Sequence, residues 1–246
     1  MTYNVLISGA NKGIGYSFVE RYLSRPNTTV IATVRNPDSA EAKSLHDLHL
    51  AEGSKLIIVK IESTSDTDAQ QAIASLADHQ ITHIDLVIAN AGLYATNAFV
   101  EVSKIRTEDL IQHFNVNTVG PLRLYQATSS LLQKAQKPIF TYISTAVASI
   151  SMQEYFDFPM ATYSTSKAGM NLLTYRIHIE NPWLVAFAVH PGVLETENGL
   201  KAQAATGMSK DMVTPMETAV DGMVGMATRE ETSGKFLSFD NTPLTW

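Results

Sequence analysis

The sequence contains no cysteine among its 246 residues. A disulfide framework and a thiolate metal site are therefore excluded. Positive charge is also scarce, because 18 lysines and arginines stand against 24 aspartates and glutamates, which gives a formal net charge of −6. The basic residues form no cluster, and this argues against a surface for nucleic acid or for an anionic membrane.

Long apolar runs are missing as well, since no stretch approaches the roughly 20 residues of a membrane-spanning helix. A strand pattern begins by about Asn4, which leaves no room for a secretory signal. The histidines show no ligand pattern: His79 and His83 lie where a helix pattern changes into a strand, and His46 and His49 have no carboxylate partner in register. We expect a cytoplasmic protein without a metal ion, a membrane contact or a nucleic-acid partner.

Apolar strand patterns alternate with longer helical patterns along the whole chain. The strand candidates are residues 4–8, 29–34, 56–61, 84–89, 139–143, 184–189 and 236–239. The helix candidates are residues 13–24, 38–51, 66–79, 107–134, 162–180 and 215–228. Several strands are apolar on both faces, which is typical of a parallel sheet covered by helices. The alternation predicts an α/β fold, a doubly wound parallel sheet with helices on both faces, built as one domain over residues 1–246.

Two segments, about 146–160 and 193–213, fit neither a helix nor a strand. They follow the fifth and sixth strands, at the carboxyl edge where open α/β sheets bind ligands. We therefore predict that they are substrate loops.

A glycine-rich turn lies between the first strand and the first helix. It reads Ser8-Gly9-Ala10-Asn11-Lys12-Gly13-Ile14-Gly15. Backbone without Cβ atoms turns tightly and approaches a pyrophosphate closely, while the positive end of the helix faces the phosphates. Three glycines alone also fit an ordinary tight turn, but their place between a strand and a helix at the start of the chain favours dinucleotide binding.

A second pattern opens the helix candidate at 162–180, where Tyr163 and Lys167 stand four residues apart on one helix face. A neighbouring ammonium favours the phenolate and lowers the pKa of the phenol, so that such a tyrosine can act as an acid or a base. On its own the pair is more simply explained as two residues that share a helix face. The glycine-rich turn reverses that balance.

Together these motifs make the chain resemble the short-chain dehydrogenase/reductase family over essentially its whole length. The matching motifs, in order, are Ser8-Gly9-x-x-x-Gly13-x-Gly15, Ala89-Asn90-Ala91-Gly92, Asn117-Thr118-Val119-Gly120, Tyr163-x-x-x-Lys167 and Pro191-Gly192-Val193-Leu194-Glu195-Thr196. Further details resemble sniffer-like carbonyl reductases and fungal reductases of the norsolorinic-acid-ketoreductase type. These details are Asn11-Lys12-Gly13, residues 25–32 and Glu180-Asn181-Pro182-Trp183-Leu184.

The resemblance implies catalytic roles for three residues. Tyr163 would be the general acid that protonates the reduced carbonyl oxygen. Lys167 would lower the pKa of Tyr163 and bind the nicotinamide ribose. Asn117 would hold a water molecule that links Lys167 to solvent.

The resemblance also implies a cofactor site. Besides Tyr163 and Lys167, its residues would be Gly9, Asn11, Lys12, Gly13, Ile14 and Gly15 in the turn, Glu62 at the adenine amino group, Asn90, Ala91 and Gly92 beside the adenosine, and Pro191, Gly192, Val193 and Thr196 over the nicotinamide. Glu62 would stand where the family usually has an aspartate.

One position departs from the family pattern. After the fifth strand the family has Ser-Ser-x-x-Gly-Ser, and this chain has Ser144-Thr145-Ala146-Val147-Ala148-Ser149. Thr145 therefore takes the place of the serine that holds the substrate carbonyl. A threonine hydroxyl donates the same hydrogen bond, although its methyl group narrows the pocket. Ser144 is the alternative, but adjacent strand residues point to opposite faces.

The end of the second strand indicates which cofactor is used. Enzymes that use NAD usually place a carboxylate there for the ribose 2′-hydroxyl. Here the strand ends at Arg35, and the first acidic residue is Asp38. A guanidinium pairs well with a 2′-phosphate, and Lys12 supplies a second positive charge. Each could also be a solvated surface cation, but as a pair they favour NADP(H).

Three functions stay open from the sequence. The first is an NADPH-dependent reductase of a small-molecule carbonyl substrate, apolar and aromatic or polycyclic, in secondary metabolism. Candidate pocket residues, each of which also suits the core, are Leu93, Tyr94, Val147, Phe156, Phe158, Leu194 and Met208. The second is a non-redox enzyme, for a cyclisation or an isomerisation, supported only by Thr145. The third is a binding protein that senses NADP(H), against which the intact proton relay argues.

The helices at 107–134 and 162–180 resemble those through which relatives assemble. Leu110, Phe114, Leu122 and Tyr125 offer apolar area for a homodimer, but the sheet needs the same area as cover. The second helix ends early at Asn181-Pro182, which limits the interface.

Overall fold

The computed structural model of the chain describes residues 2–196, 199–200, 203, 209, 213–227 and 230–246. Its strands are β1 (Tyr3–Ser8), β2 (Thr28–Val34), β3 (Lys55–Lys60), β4 (Leu86–Ala89), β5 (Ile139–Ile143), β6 (Val185–His190), β7 (Val193–Leu194), β8 (Val213–Thr214), β9 (Phe236–Ser238) and β10 (Pro243–Leu244). Its α-helices are α1 (Gly13–Leu23), α2 (Ala40–Lys43), α3 (Asp68–Ser75), α4 (Thr107–Phe114), α5 (Gly120–Leu132), α6 (Ala161–Glu180) and α7 (Met216–Met226).

Eight strands form one sheet in the order β10-β9-β6-β5-β4-β1-β2-β3. Every neighbouring pair is parallel except β9 and β10, which are antiparallel. The chain crosses from β3 to β4 by returning to the far side of β1. The strand order therefore reverses between β1 and β4, and ligands bind at such a point in open α/β sheets.

The sheet is apolar on both faces and helices cover both. In β1, Val5 and Ile7 lie in one core cluster, which includes residues of α1 and α7. Leu6 points the other way, into a cluster that includes residues of α3, α5 and α6. This period of two explains why the buried strands read as continuous apolar runs, and it confirms the predicted doubly wound α/β fold.

Several predicted helices are shorter or interrupted. The candidate at 38–51 is α2 followed by a 3₁₀ turn over Ser44–Asp47, and the candidate at 66–79 is α3 followed by a 3₁₀ turn over Leu76–His79. The long candidate at 107–134 is α4 and α5 joined by a π-helical segment, Asn115–Val119. Periodicity does not distinguish a π turn inside a helix, because one inserted residue leaves the flanking patterns intact.

The two predicted substrate loops follow β5 and β6. The first contains short 3₁₀ turns at Ala146–Ala148 and Gln153–Tyr155. The second begins with β7 and ends with β8, which pair in a parallel sheet of their own. Most of the stretch between them, and with it Met208, lies outside the described residues. Within the described part of the chain, no helix combines the length and apolarity needed to cross a membrane.

Candidate active site

The glycine-rich turn requires three glycines for different reasons. Gly9 and Gly13 have φ values of 64° and 53°, in the left-handed region that favours glycine. A Cβ on Gly15 would collide with the Gly9 carbonyl and lie 2.7 Å from the Asn90 amide nitrogen. Lys12 is the N-cap of α1, and its side chain makes no capping hydrogen bond. The first amides of this helix are therefore not capped by Lys12, which fits an anionic group such as a pyrophosphate.

Hydrogen bonds between β1 and β4 hold this turn in place. The Ser8 hydroxyl accepts from the amides of Asn90 (3.0 Å) and Ala91 (2.9 Å). The Asn90 side chain donates to the carbonyls of Ser8 (2.9 Å) and Gly9 (3.3 Å). A Cβ on Gly9 would lie 3.0 Å from Ala91 Cα, so the two loops touch. The Asn90 side chain thus positions the turn.

Two cationic side chains lie beside the glycine-rich turn, where β1 and β2 end. The Ala10 amide donates to the Thr33 carbonyl at 3.1 Å, which fastens the glycine-rich turn to the end of β2. Lys12 and Arg35, one on each side of this contact, are both exposed. Within the described ranges neither forms an ion pair with a carboxylate. Both side chains are accessible to a 2′-phosphate.

Glu62 follows β3 on the same side. Its carboxylate accepts weak hydrogen bonds, both at 3.3 Å, from the amide and the hydroxyl of Thr64. Its own amide donates to Asp68 at 3.0 Å. A hydrogen bond from Ser65, followed by the one from the Glu62 amide, lowers the pKa of Asp68. The Glu62 side chain is half-buried at this edge, and the predicted adenine contact stays a prediction.

Asn117 lies in the π-helical segment and is fully buried. Its amide nitrogen donates to the Leu93 carbonyl and to the Ser166 hydroxyl, both at 2.9 Å, and its side-chain oxygen accepts from the Leu93 amide at 2.7 Å. Its backbone carbonyl accepts from the Tyr142 hydroxyl at 2.9 Å. The predicted role of Asn117, to hold a water molecule that links Lys167 to solvent, stays a prediction.

Lys167 is buried beside this segment, with only 4% of its surface exposed. Its ammonium donates to the Ile143 carbonyl at 2.7 Å and lies 4.7 Å from the centre of the Tyr142 ring. A Cβ on Gly92 would lie 3.4 Å from Nζ, so this glycine leaves room at the ammonium. Burial lowers the pKa of Lys167 to about 7. Tyr142 contacts both Asn117 and Lys167, and the only sequence signal for it was a tyrosine inside a mostly apolar strand.

Tyr163 lies one helical turn before Lys167 on α6, as its spacing predicted. The ammonium of Lys167 is 5.9 Å from the centre of the Tyr163 ring. The expected lowering of the Tyr163 pKa is not found in this arrangement. Burial, together with the nearby Tyr94, raises it. The physical reason is that the Lys167 ammonium donates its hydrogen bond to the Ile143 carbonyl. The loss of solvation of the Tyr163 phenolate therefore has the larger effect on its pKa.

Ser144 and Thr145, which follow β5, differ in burial and in hydrogen bonding, as expected for adjacent residues that point to opposite faces. Ser144 is buried and donates to the Asn171 side chain on α6 at 2.6 Å. Thr145 is half-buried, and its hydroxyl makes no hydrogen bond to the residues that the structure describes. Of the two hydroxyl groups, the one on Thr145 is therefore accessible to a substrate.

The segment after β6 approaches the glycine-rich turn. Gly192 has a φ of 83°, and a Cβ there would lie 2.9 Å from the Thr214 hydroxyl. Val193 pairs with Val213 in the small sheet. A Cβ on Gly13 would lie 3.9 Å from the methyl group of Thr196. Pro191, which opens this segment, is buried.

An apolar cavity of about 260 Å³ lies next to this arrangement, against the start of α6. Val147, Phe156 and Phe158, from the loop after β5, line it, and the role of this loop in substrate binding stays a prediction. Its other lining residues are Val100, Glu101, Val102, Gln153, Pro159, Met160, Ala161 and Ser164. Tyr94 lies instead against Tyr163, with ring centres 5.0 Å apart. Within the described residues, no group of three potential ligand side chains is placed to hold a metal ion.

Comparison with known proteins gives consistent matches. The family profile described as short chain dehydrogenase matches residues 3–206. The norsolorinic acid ketoreductase of Aspergillus parasiticus is 37% identical over 247 residues, which cover 98% of this chain and 90% of that protein. The norsolorinic acid ketoreductase of Dothistroma septosporum is 37% identical over 249 residues, covering 98% and 91%. The NADPH-bound carbonyl reductase from chicken fatty liver has a TM-score of 0.86 at 27% identity, covering 100% of this chain and 99% of that one.

Proposed function

Because this chain belongs to the short-chain dehydrogenase family, we propose that it reduces the carbonyl group of an apolar, aromatic or polycyclic ketone with NADPH. Membership of this family makes the protein an oxidoreductase with a nicotinamide cofactor. The proposal adds NADPH, the substrate class and the roles of the individual residues, with cofactor and substrate bound by the same domain. A cytoplasmic location and a place in secondary metabolism stay predictions from the sequence.

One observation carries the proposal. Asn117, Tyr163 and Lys167 come together at the carboxyl edge of the sheet, next to Gly92. A Cβ on Gly92 would lie 3.3 Å from the Asn117 side-chain oxygen and 3.4 Å from the Lys167 ammonium, so these two groups meet at one backbone position. The centre of the Tyr163 ring lies 5.9 Å from the same ammonium. Among the described residues Lys167 has one hydrogen bond, and a buried lysine with so few partners is unfavourable for folding, which favours a catalytic purpose.

The edge of β1 and β2 supports the choice of NADPH. The turn offers helix amides that Lys12 does not cap for the pyrophosphate, and Lys12 and Arg35 offer positive charge for the 2′-phosphate. When bound, this cofactor supplies the hydride. The solved structure of 27% identity from chicken fatty liver is described as bound to NADPH.

The protein's own residues supply the proton and fix the carbonyl. The raised pKa of Tyr163 keeps its hydroxyl protonated at neutral pH, so that it donates the proton that the carbonyl oxygen gains. Thr145, whose hydroxyl is not used within the described residues, donates a second hydrogen bond to that oxygen.

The cavity supports an aromatic substrate. Apolar cavities of about 150 Å³ are large enough for benzene. The cavity of about 260 Å³ at the start of α6, which Ala161 and Ser164 on either side of Tyr163 line, is therefore large enough for more than one ring. Its lining by phenylalanine, valine and methionine favours a hydrocarbon surface.

The test is to mix the purified protein with NADPH and a panel of aromatic ketones and to follow the loss of NADPH absorbance. We expect turnover with at least one bulky aryl ketone. Tyr163→Phe should lower kcat by about 10²–10⁴-fold, while the Kd for NADPH changes little. Tyr125→Phe, outside the site, is the control. NADPH that binds and is never oxidised would instead favour the non-redox or the sensing function.

We infer further that the protein forms a homodimer through α4 and α6. Ile111 on α4 and Leu172 on α6 are 61% and 63% exposed. Phe114 lies over Gly169, where a Cβ would come within 2.9 Å of its ring, so the exposed side chains of the two helices are neighbours. Two such surfaces can bury each other.

A further inference from the structure

Ser149 ends the motif that begins at Ser144, and the proposed reaction does not use it. Its side chain is fully buried. The hydroxyl donates to the Trp246 backbone oxygen at 3.4 Å and lies 3.3 Å from the Thr245 hydroxyl, 96 positions further along the chain. The Ser151 hydroxyl donates to the same Thr245 hydroxyl at 2.6 Å. The loop after β5 is therefore bonded to the two residues that follow β10.

The Trp246 ring fixes this contact to the core of the protein. It stacks on Phe236 of β9 with ring centres 5.5 Å apart, and it packs against Tyr175 of α6 at 5.7 Å. Phe236 is buried in the core cluster that includes residues of β5 and β6, and Trp246 packs against this cluster. The hydrogen bonds of Ser149 and Ser151 thus connect the loop to residues that the core holds in place.

The part of the loop that is held in this way forms a wall of the apolar cavity at the start of α6. The Gln153 side-chain amide donates to the carbonyls of Val147 (2.7 Å) and Ser149 (2.8 Å). Gln153 and Val147 both line the cavity. A displacement of Ser149 would therefore be transmitted to two lining residues through the Gln153 side chain.

Thr145, at the start of the same loop, is held by the sheet instead. The amide of the preceding Ser144 donates to the Val189 carbonyl of β6 at 2.7 Å. The Ser144 hydroxyl donates to Asn171 on α6. If the loop is loosened at its far part, the hydroxyl that binds the reacting carbonyl in the proposed function stays in place, and the shape of the cavity changes.

We propose that Thr245 and Trp246 are positioning residues, which hold the cavity wall in the shape that binds the apolar part of the substrate. This inference rests on the proposed function. Neither residue is among those that line the cavity, so their effect on the substrate is exerted through the loop after β5.

Three variants separate the two contacts from general packing. Thr245→Val removes the hydroxyl that accepts from Ser151 and keeps the β-branched shape, whereas Thr245→Ser keeps the hydroxyl. Trp246→Ala removes the ring that packs on the core. Trp183→Ala is the matched control, because Trp183 is the other tryptophan of the chain and packs against the same core cluster. Among the described residues Trp183 has no hydrogen bond to the loop.

Hydrogen–deuterium exchange measures how firmly the loop is held, without any turnover. Amides of residues 146–156 should exchange about three- to tenfold faster in Thr245→Val, the effect of one lost neutral hydrogen bond, and at least as much faster in Trp246→Ala. They should exchange at the wild-type rate in Thr245→Ser and in Trp183→Ala.

The probe ketone is 2-acetylnaphthalene, whose fused rings suit a cavity of about 260 Å³. With NADPH we expect its KM to rise about three- to tenfold in Thr245→Val, while kcat stays within about twofold of the wild type and the Kd for NADPH is unchanged. Thr245→Ser should restore the wild-type KM. Calorimetric titration of the NADP⁺ complex with the same ketone gives its Kd without turnover, and this Kd should rise with KM.

Unchanged exchange in both Thr245→Val and Trp246→Ala would overturn the proposal. A wild-type ketone Kd in a variant whose loop exchanges faster would also overturn it, and so would an equal rise of this Kd in Trp183→Ala. A ketone that does not bind the NADP⁺ complex at all would overturn it as well. If the ketone binds and no protein turns it over, the reductase function fails for this ketone, and the exchange rates and Kd values still decide the roles of Thr245 and Trp246.

Discussion

At the scale of single residues, the site contains buried polar groups. Lys167 is almost fully buried and, within the described part of the chain, has one hydrogen bond, to Ile143, while Asn117 is fully buried with every polar group of its side chain used. Burying a charge is expensive unless it is paired. Such groups persist where function requires them, and their chemistry can be tested residue by residue.

Thr145 is the first such test. Thr145→Val keeps the shape and the β-branch but removes the hydroxyl, so ketone reduction should fall about 10²–10³-fold, the scale of one lost oxyanion donor. Thr145→Ser keeps the hydroxyl and should retain or raise kcat. The measurement is steady-state kinetics with a turned-over ketone.

Ser144→Ala is the matched control, because Ser144 donates to Asn171 and not to the site. It should lower stability by about 1 kcal/mol with little effect on kcat. A large loss of kcat in Ser144→Ala with normal Thr145→Val would reverse the two roles.

The burial of Lys167 makes stability depend on pH. Its pKa is about 7 in the folded protein and 10.5 ordinarily, so between these values the unfolded chain binds more protons. The free energy of unfolding therefore rises with pH in this window through Lys167. Lys167→Met should remove that contribution.

Urea unfolding of both proteins at about pH 7 and pH 9 measures this, below the range where tyrosines titrate. We expect the wild type to gain stability relative to Lys167→Met at the higher pH. A difference between the two proteins that is the same at both values would contradict the lowered pKa.

At the scale of elements, the helix at 107–132 shows how local geometry serves the site. Its π-helical segment, Asn115–Val119, shifts the hydrogen-bond pattern within one helix. The Asn117 carbonyl there accepts from Tyr142 of β5, while its side chain holds Leu93 after β4. One irregular turn thus joins two strand ends to the helix layer.

Arg35, directly after β2, should determine the choice between the two nicotinamide cofactors. Arg35→Ala should weaken NADPH roughly 10- to 100-fold and NADH little, because only NADPH has the 2′-phosphate that pairs with the guanidinium. Titrations with both cofactors give the two Kd values. Lys43→Ala, an exposed lysine in α2, is the control. Equal weakening of both cofactors would mean that Arg35 has a structural role.

At the scale of the whole molecule, α4 and α6 both carry exposed apolar side chains. Leu172, Tyr175 and Ile179 share one face of α6, and Ile111 and Phe114 share one face of α4. Four residues were interface candidates from the sequence, and among them only Phe114 has an exposed side chain. Leu110, Leu122 and Tyr125 are half-buried, and Tyr125 packs on Phe140 with ring centres 5.4 Å apart. Part of the apolar area that the sequence suggested for a dimer interface is therefore packed within the protein itself.

We expect a dimer in light scattering at micromolar concentration. Ile111→Glu combined with Leu172→Glu should give a monomer, because two charges would be buried at the interface. Ile150→Glu, at a residue 78% exposed outside these helices, should stay dimeric. A monomeric mass for the wild type would contradict the assembly through α4 and α6.

The sequence alone determined what depends on neighbours along the chain. The strand and helix order follows from hydrophobic periods of two and 3.6. The positions of Gly9, Gly13 and Gly15 follow from the needs of one tight turn, and the Tyr163–Lys167 pair follows from helical spacing. These patterns were sufficient for the family and for the doubly wound fold.

Only the tertiary structure decided which groups meet across the sheet. The hydrogen bond from Tyr142 to Asn117 and the hydrogen bond from Ser144 to Asn171 depend on strand order and on helix packing. The raised pKa of Tyr163 depends on them as well, because burial and the direction of the Lys167 ammonium are set by distant segments. Local patterns cannot contain this information, since hydrogen bonds and desolvation arise between residues that only folding brings together.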